Sequence, residues 1–257
     1  MVGSASGIAA SILFSYLLRS FDFPLNYRYL FMSGFIIAVT ATLVICIGIK
    51  EPETSPKPDQ LKMKDVLPVI KNIFRHNSSF KSFTIARVLL AGSEFAIPYY
   101  IVKASNSINS PIGYAGILTT IFLISKMVGS YFFGKLSDRY GPFEIIKYSS
   151  LIGSVASLLA LICHDYISLT IMYFLAGFVA EGTYLTNSIG SVVFSEGKET
   201  PIYSAALGFS CAPIYIIFPV VGSLLAKHFS INSIFVMSMA IYITCFQYCF
   251  KYKKETQ

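Results

Sequence analysis

Charge is scarce in this chain. Asp, Glu, Lys and Arg make up 13% of its 257 residues, against roughly 25% in an ordinary soluble domain. Hydrophobic residues make up 54% and mean hydropathy is +0.64. So little polar surface excludes water as the solvent over most of the length. Metal chemistry is excluded next. His76, His164 and His228 sit in separate connecting segments, and Cys46, Cys163, Cys211, Cys245 and Cys249 include no CxxC pair. Cys245 and Cys249 share a helix face at i, i+4 but have no His or carboxylate beside them, so packing is the expected role. No GxxxxGK[ST] is present to cradle the phosphates of ATP, and no HExxH or GxSxG to activate water or a serine. An enzyme is therefore not expected, and neither is a cofactor. Tryptophan is absent, which leaves 22 Phe and 17 Tyr as the aromatic complement. Most of those tyrosines are expected at the membrane interfaces or in packing.

What the chain has in plenty is apolar runs. A membrane-crossing helix needs about 20 such residues, and eight runs qualify: residues 2–18, 29–49, 83–102, 113–134, 145–163, 166–190, 202–226 and 230–250. No Lys or Arg precedes the first, which argues against a secretory signal. The fold class is thus all-α, a polytopic membrane protein with about 8 transmembrane helices. Residues 50–82 form the one long connection. It opens with KEPETSPKPDQ, where Pro52, Pro56 and Pro58 forbid a continuing helix. It continues with KDVLPVIKNIF, which places Val66, Leu67, Ile70, Ile73 and Phe74 on one helical face and Lys64, Lys71 and Arg75 elsewhere. That pattern suits a short helix on the inner membrane surface.

A net charge of +7 raises the question of nucleic acid, and the distribution answers it. Lys50, Lys57, Lys62, Lys64, Lys71, Arg75, Lys81, Lys135, Arg139, Lys147, Lys198, Lys251, Lys253 and Lys254 all fall in one alternate set of connections. The opposite set holds only Arg19, Arg28, Lys103 and Lys227. Basic loops mark the cytoplasmic side, so both termini are expected there, in a plasma (inner) membrane. Nucleic acid is not an expected partner; the lipid bilayer is.

Four charges lie inside the spans. Mid-helix Lys or Asp costs about 2.5–3.5 kcal/mol on insertion scales, so such residues rarely face lipid. Glu94 lies about 18 Å into the third run at 1.5 Å per residue, and Lys126 and Glu181 fall at similar depths in the fourth and sixth. That is the depth at which secondary transporters bind solute and coupling ion. Arg87, Ala91, Glu94 and Pro98 share one helix face. Thr119, Lys126 and Ser130 share another, and Gly177, Glu181, Tyr184 and Ser188 a third. Glu94, Lys126, Glu181 and Arg87 are the candidate residues of a solute and proton pathway. Glu94 or Glu181 would take up a proton, and Lys126 would attract an anionic group or pair with a carboxylate. Arg87, near the start of its run, is expected to snorkel and to be structural. Tyr99, Tyr100, Tyr184 and Tyr215 are candidates to line a cavity.

Between the fourth and fifth runs stands GKLSDRYGP, residues 134–142. Gly134 permits close helix approach and Gly141 a backbone turn with positive φ. Gly134, Leu136, Asp138, Arg139 and Gly141 resemble the cytoplasmic loop motif of the major facilitator superfamily (MFS) of secondary transporters. There the motif joins the second and third helices of each six-helix half and takes part in conformational change. Pro142 and Phe143 depart from the basic residues that often end it. KEPE at 50–53 resembles the end of the sixth helix of that family. Residues 200–226, with Pro213, Pro219 and Gly222, resemble its eleventh. The resemblance covers the chain as helices five to twelve, with the first four missing. It implies that the fifth and eighth runs stand toward lipid while the third, fourth, sixth and seventh border a central cavity.

The implied organisation is residues 1–49 as two helices of an N-terminal half, 50–82 as a cytoplasmic basic linker, 83–250 as a six-helix C-terminal half and 251–257 as a basic tail. The implied function is transport of a small solute by alternating access, with a proton as candidate coupling ion. The alternative is an inactive truncated product or an accessory membrane subunit. Gly3 and Gly7 in the first run lack the Gly-Pro pattern of related drug antiporters, which lowers the multidrug reading. For the topology, alkaline phosphatase fused after Gln257 is expected to be inactive and a fluorescent protein there bright. The reverse is expected for fusions after Lys227, and a bright fusion there would overturn the orientation.

Overall fold

A computed structural model describes residues 24–48, 63–108, 113–162, 165–196 and 199–256, with the single positions 7, 10, 16, 20 and 21. Most of the first apolar run and the proline-rich segment 50–62 lie outside the described residues, as do Arg19, Cys163, His164 and Lys198. The described residues form nine α-helices, one 3₁₀ turn and no strand. Seven helical segments among them are long and apolar enough to cross a membrane, which makes the chain an all-α polytopic membrane protein.

The chain divides into two compact units, Ala9–Val69 and Met1–Ile8 with Ile70–Gln257. The first contains α1 (Leu25–Gly48), about 36 Å long at 1.5 Å per residue and enough to span the hydrocarbon core. Its threonine hydroxyls are satisfied within the helix: Thr40 donates to the Ile36 carbonyl and Thr42 to that of Ala38. α2 (Met63–His76) carries the amphipathic pattern of the linker. Leu67 is exposed and Ile70 is buried, Ile73 and Phe74 are half-buried, and Lys71 and Arg75 are exposed. Phe74 stacks on Phe80 with ring centroids 5.5 Å apart.

The second unit is a helical bundle. α3 (Ser78–Ser93) opens on an N-cap, the Asn77 side chain accepting from the Phe80 N–H at 2.8 Å. It continues through a 3₁₀ turn, Glu94–Ala96, into α4 (Ile97–Ile108) as one interrupted span. α5 (Gly113–Tyr140), α6 (Pro142–Ile162), α7 (Tyr166–Phe194), α8 (Thr200–His228) and α9 (Ile231–Thr256) follow. α6 packs on α7 and α9, and α5 packs on α7. Their shared core includes Tyr100 stacked on Phe235 at 5.3 Å, with Leu118, Met172 and Ile234 fully buried beside them. α7 is capped by Asp165, whose carboxylate accepts from the Ser168 N–H at 3.0 Å and from the Ser168 hydroxyl. Those two bonds hold the Asp165 carboxyl below its usual range.

The interruption of the third span has a chemical cause. Pro98 has no N–H to give the Glu94 carbonyl four residues back, and the Ile97 N–H takes that carbonyl instead. The ladder shifts to i→i+3 spacing, the Glu94 N–H bonding to Ala91 O. Two carbonyls lose their usual partners and find hydroxyls. Ser93 Oγ donates to Leu90 O at 2.6 Å, and Ser238 Oγ on α9 donates to Ser93 O at 2.7 Å.

GKLSDRYGP is not a loop. α5 runs through Gly134, Leu136, Asp138 and Arg139 to Tyr140 without a break, because nothing before Gly141 stops a helix. Only Gly141 is non-helical: its φ is +84°, its N–H bonds to Ser137 O at 2.8 Å, and Pro142 begins α6 at once. The turn expected of Gly141 is therefore present. The close approach expected of Gly134 is not, since a Cβ there would meet nothing within 4 Å among the described residues. The close contact lies elsewhere, at Gly177 on α7, where a Cβ would stand 2.5 Å from the Phe122 carbonyl oxygen of α5. Backbone cannot yield as a side chain can. Gly177→Ala is expected to cost about 1–3 kcal/mol through overpacking, whereas Gly134→Ala should be neutral or gain up to about 1 kcal/mol from helix propensity. Thermal unfolding of the two variants in detergent checks this, and equal midpoints would refute the assignment.

Candidate functional site

A cavity of about 790 Å³ opens in the second unit, lined by α3, the 3₁₀ turn, α4, α5, α7 and α8. No residue of α6 or α9 lines it. These correspond to the fifth and eighth apolar runs, the two that the family resemblance sets toward lipid. All four residues of the face read from the third run, Arg87, Ala91, Glu94 and Pro98, border the cavity. Glu94 stands at the 3₁₀ turn, so the break forced by Pro98 places a carboxylate on the cavity wall.

Lys126 comes from α5. Its Nζ lies 3.6 Å from Glu181 Oε2 on α7 and 5.9 Å from the centre of the Tyr184 ring. Glu181 is buried behind Lys126 and is not itself part of the lining. The sequence left Lys126 free to pair with Glu94 or with Glu181, and the geometry joins it to Glu181. The partner helix faces were only partly right. Tyr184 lines the cavity, whereas Thr119, Ser130, Gly177 and Ser188 are not among its lining residues.

Arg87 differs most from expectation. It is 4% exposed and does not snorkel. α3 begins at Ser78, five residues before the apolar run, and this sets Arg87 more than two turns inside the helix. Its Nη2 donates to the Tyr215 hydroxyl of α8 at 3.1 Å, and its Nε and Nη1 are buried without a hydrogen-bond partner among the described residues. Glu94 lies within electrostatic reach of both Arg87 and Lys126. Among the tyrosines, Tyr99, Tyr184 and Tyr215 border the cavity. Tyr100 does not: it is a core residue whose hydroxyl bonds to Ser157 at 3.1 Å. Thr183, Asn187 and Cys211 line the wall and were missed. Asn187 alone carried a signal, an amide within an apolar run one turn beyond Tyr184.

Arg87, Glu94 and Lys126, from two spans, thus border the cavity beside an aromatic wall, with Glu181 of a third span buried behind Lys126, all inside a bundle of membrane-spanning helices. The chain belongs to the Major Facilitator Superfamily, whose family model matches residues 83–257. It is also similar to a protein described as "Multi-drug resistance efflux pump PmrA homolog", from Lactococcus lactis subsp. lactis (strain IL1403). The two are 24% identical over 209 residues, 79% of this chain and 50% of that protein. The chain therefore spans about half the length of the curated relative it matches.

The Lys126–Glu181 pair generates a test of its own. Lys126→Ala strands the Glu181 carboxylate, which is only 8% exposed. Breaking a buried pair costs about 3–5 kcal/mol, less where one partner borders a cavity as Lys126 does. Lys126→Met with Glu181→Gln removes both charges and should recover most of the loss. A double variant as unstable as Lys126→Ala in thermal melts would mean the pair contributes through more than charge balance.

Proposed function

We propose that this chain carries a small solute across a membrane by alternating access, as a secondary transporter or the greater part of one. The observation that carries the reading is the cavity in which Arg87, Glu94 and Lys126 meet, inside a member of the Major Facilitator Superfamily. Ionisable side chains inside membrane spans are costly and are retained where they do work. Here they gather on one wall, while α6 and α9 contribute none to it.

Glu94 is the proposed proton acceptor. Unlike Glu181, it forms no ion pair among the described residues, and it sits where the span changes helical geometry. A change in its charge would therefore act on the one internal joint of α3 and α4. The Gly134–Gly141 segment is proposed to brace that motion, and the basic loops to hold both termini in the cytoplasm. Residues 1–49 and 83–250 are proposed to belong to the N-terminal and C-terminal halves. The name of the Lactococcus relative adds drugs to the solutes worth testing. The partial coverage of that relative favours a second reading, a chain without transport activity of its own.

Proteoliposomes containing the chain are to be screened with labelled sugars, amino acids, organic acids and tetraphenylphosphonium, with and without a pH gradient. Uptake that rises with the gradient and loses its gradient dependence in Glu94→Gln is the expected result. Absence of uptake of every solute class would overturn independent transport in favour of the second reading.

A further inference from the structure

We propose that Arg87 anchors the carboxylate of an amphipathic organic monoanion whose apolar body lies on the aromatic wall of the same cavity. The inference rests on the transporter reading and goes beyond it to the class of solute. The starting point is an imbalance. A guanidinium has five N–H donors, yet Arg87 is 4% exposed and its only hydrogen bond among the described residues goes to the neutral hydroxyl of Tyr215. Nε and Nη1 find no acceptor among the described residues. Buried donors are nearly always matched, and an unmatched cation in a membrane span is costly to maintain.

The protein's own carboxylates do not fill the gap. Glu181 is held by Lys126 at 3.6 Å. Glu94, two turns along the face of Arg87, reaches it electrostatically but does not come within ion-pair distance. The cover over Arg87 stands at the cavity. Tyr215 is 49% exposed and borders it, and two turns before it on α8 Gly208 leaves open space where a side chain would stand. A carboxylate is a stronger acceptor than a phenol and matches guanidinium geometry, so it displaces the Tyr215 hydroxyl and takes its donor.

The rest of the wall sets the body and the charge of the ligand. Phe95, Phe122, Phe218 and Tyr99 offer aromatic surface and few polar atoms, which suits a hydrophobic ring and not a sugar. With Lys126 neutralised by Glu181, Arg87 is the one unpaired cation on the wall among the described residues, and Glu94 repels any second negative charge. A monoanion fits and a polyanion does not. Glu94 also gives the proposal a sign. Its carboxylate opposes the ligand's, so removing that charge strengthens binding of an anion and weakens binding of a cation or a zwitterion held at both residues.

Fluorine NMR on the full chain in lipid nanodiscs, with 4-fluorobenzoate and the neutral 4-fluorobenzyl alcohol as probes, tests this. The anion is expected to bind roughly tenfold more tightly than the alcohol, as a charge-assisted bond to a desolvated guanidinium allows. Arg87→Gln should abolish the difference and Glu94→Gln should increase it severalfold. Binding of the anion that is absent, that equals the alcohol's, or that weakens in Glu94→Gln overturns the proposal. Should Arg87→Gln fail to fold, phenylglyoxal labelling of Arg87 in the unaltered chain decides. Protection by 4-fluorobenzoate and not by the alcohol supports the anchor, and equal protection overturns it. Anion binding at Arg87 without proteoliposome uptake would leave the anchor standing and remove the transport reading. Uptake of another solute by a chain that does not prefer the anion would do the opposite.

Discussion

In hydrocarbon every peptide group must find its partner within the protein, and the span from Ser78 to Ala104 meets that demand by a detour. Pro98 withholds one N–H. The neighbouring bonds contract to 3₁₀ spacing, and the carbonyls of Leu90 and Ser93 turn to the hydroxyls of Ser93 and Ser238. The donor to Ser93 belongs to a chain of buried hydroxyls. Tyr100 bonds to Ser157 at 3.1 Å, and Ser157 donates to Ser238 at 3.4 Å. With Ser238 committed to a carbonyl, the direction of donation is fixed along the chain from Tyr100 inward. One missing hydrogen thus ties the broken span to α6 through Ser157 and to α9 through Ser238. It also leaves Glu94, at the break, facing the cavity.

The sequence made the large divisions legible, because membrane insertion depends on long apolar runs and those are visible residue by residue. The face Arg87, Ala91, Glu94 and Pro98 was readable for the same reason: the helical period survives the short 3₁₀ turn. The exclusion of α6 and α9 from the cavity came from the family resemblance, since α8 carries no mid-span charge either and yet lines it. Other features depended on contacts that no local pattern encodes. Lys126 had two carboxylates at similar depth, and only the packing of α5 on α7 at Gly177 selects Glu181. Gly134 and Gly177 look alike in sequence, yet one faces open space and the other a backbone carbonyl. The serines of the hydroxyl chain, far apart in sequence, resemble many others in the same runs.

Arg87 shows how a small boundary error becomes a chemical one. The apolar run begins at Phe83, and from there the arginine stands one turn from the edge, within reach of water by snorkelling. The helix begins five residues earlier, at Ser78, with Asn77 capping it. Polar residues such as Ser78, Ser79 and Lys81 extend a helix as readily as apolar ones when a cap and a following bundle support it, but hydropathy cannot count them. The same undercount made the charged end of α5 look like a loop. Helices in this chain outrun their apolar segments, and the residues at issue are the charged ones.

The two internal cations consequently serve different ends. Lys126 has a carboxylate partner at 3.6 Å and a tyrosine ring beneath it, so its charge is largely settled within the protein. Arg87 is more deeply buried, cannot shed its proton, and has a phenol where a carboxylate would be expected. A lysine in that position would have escaped the cost by deprotonating. An arginine keeps its charge through every conformation, and whatever approaches it from the cavity meets a fixed positive group with a carboxyl two turns along the same face. A permanent charge and a carboxyl thus share a single helix face, with the carboxyl at the joint where α3 becomes α4.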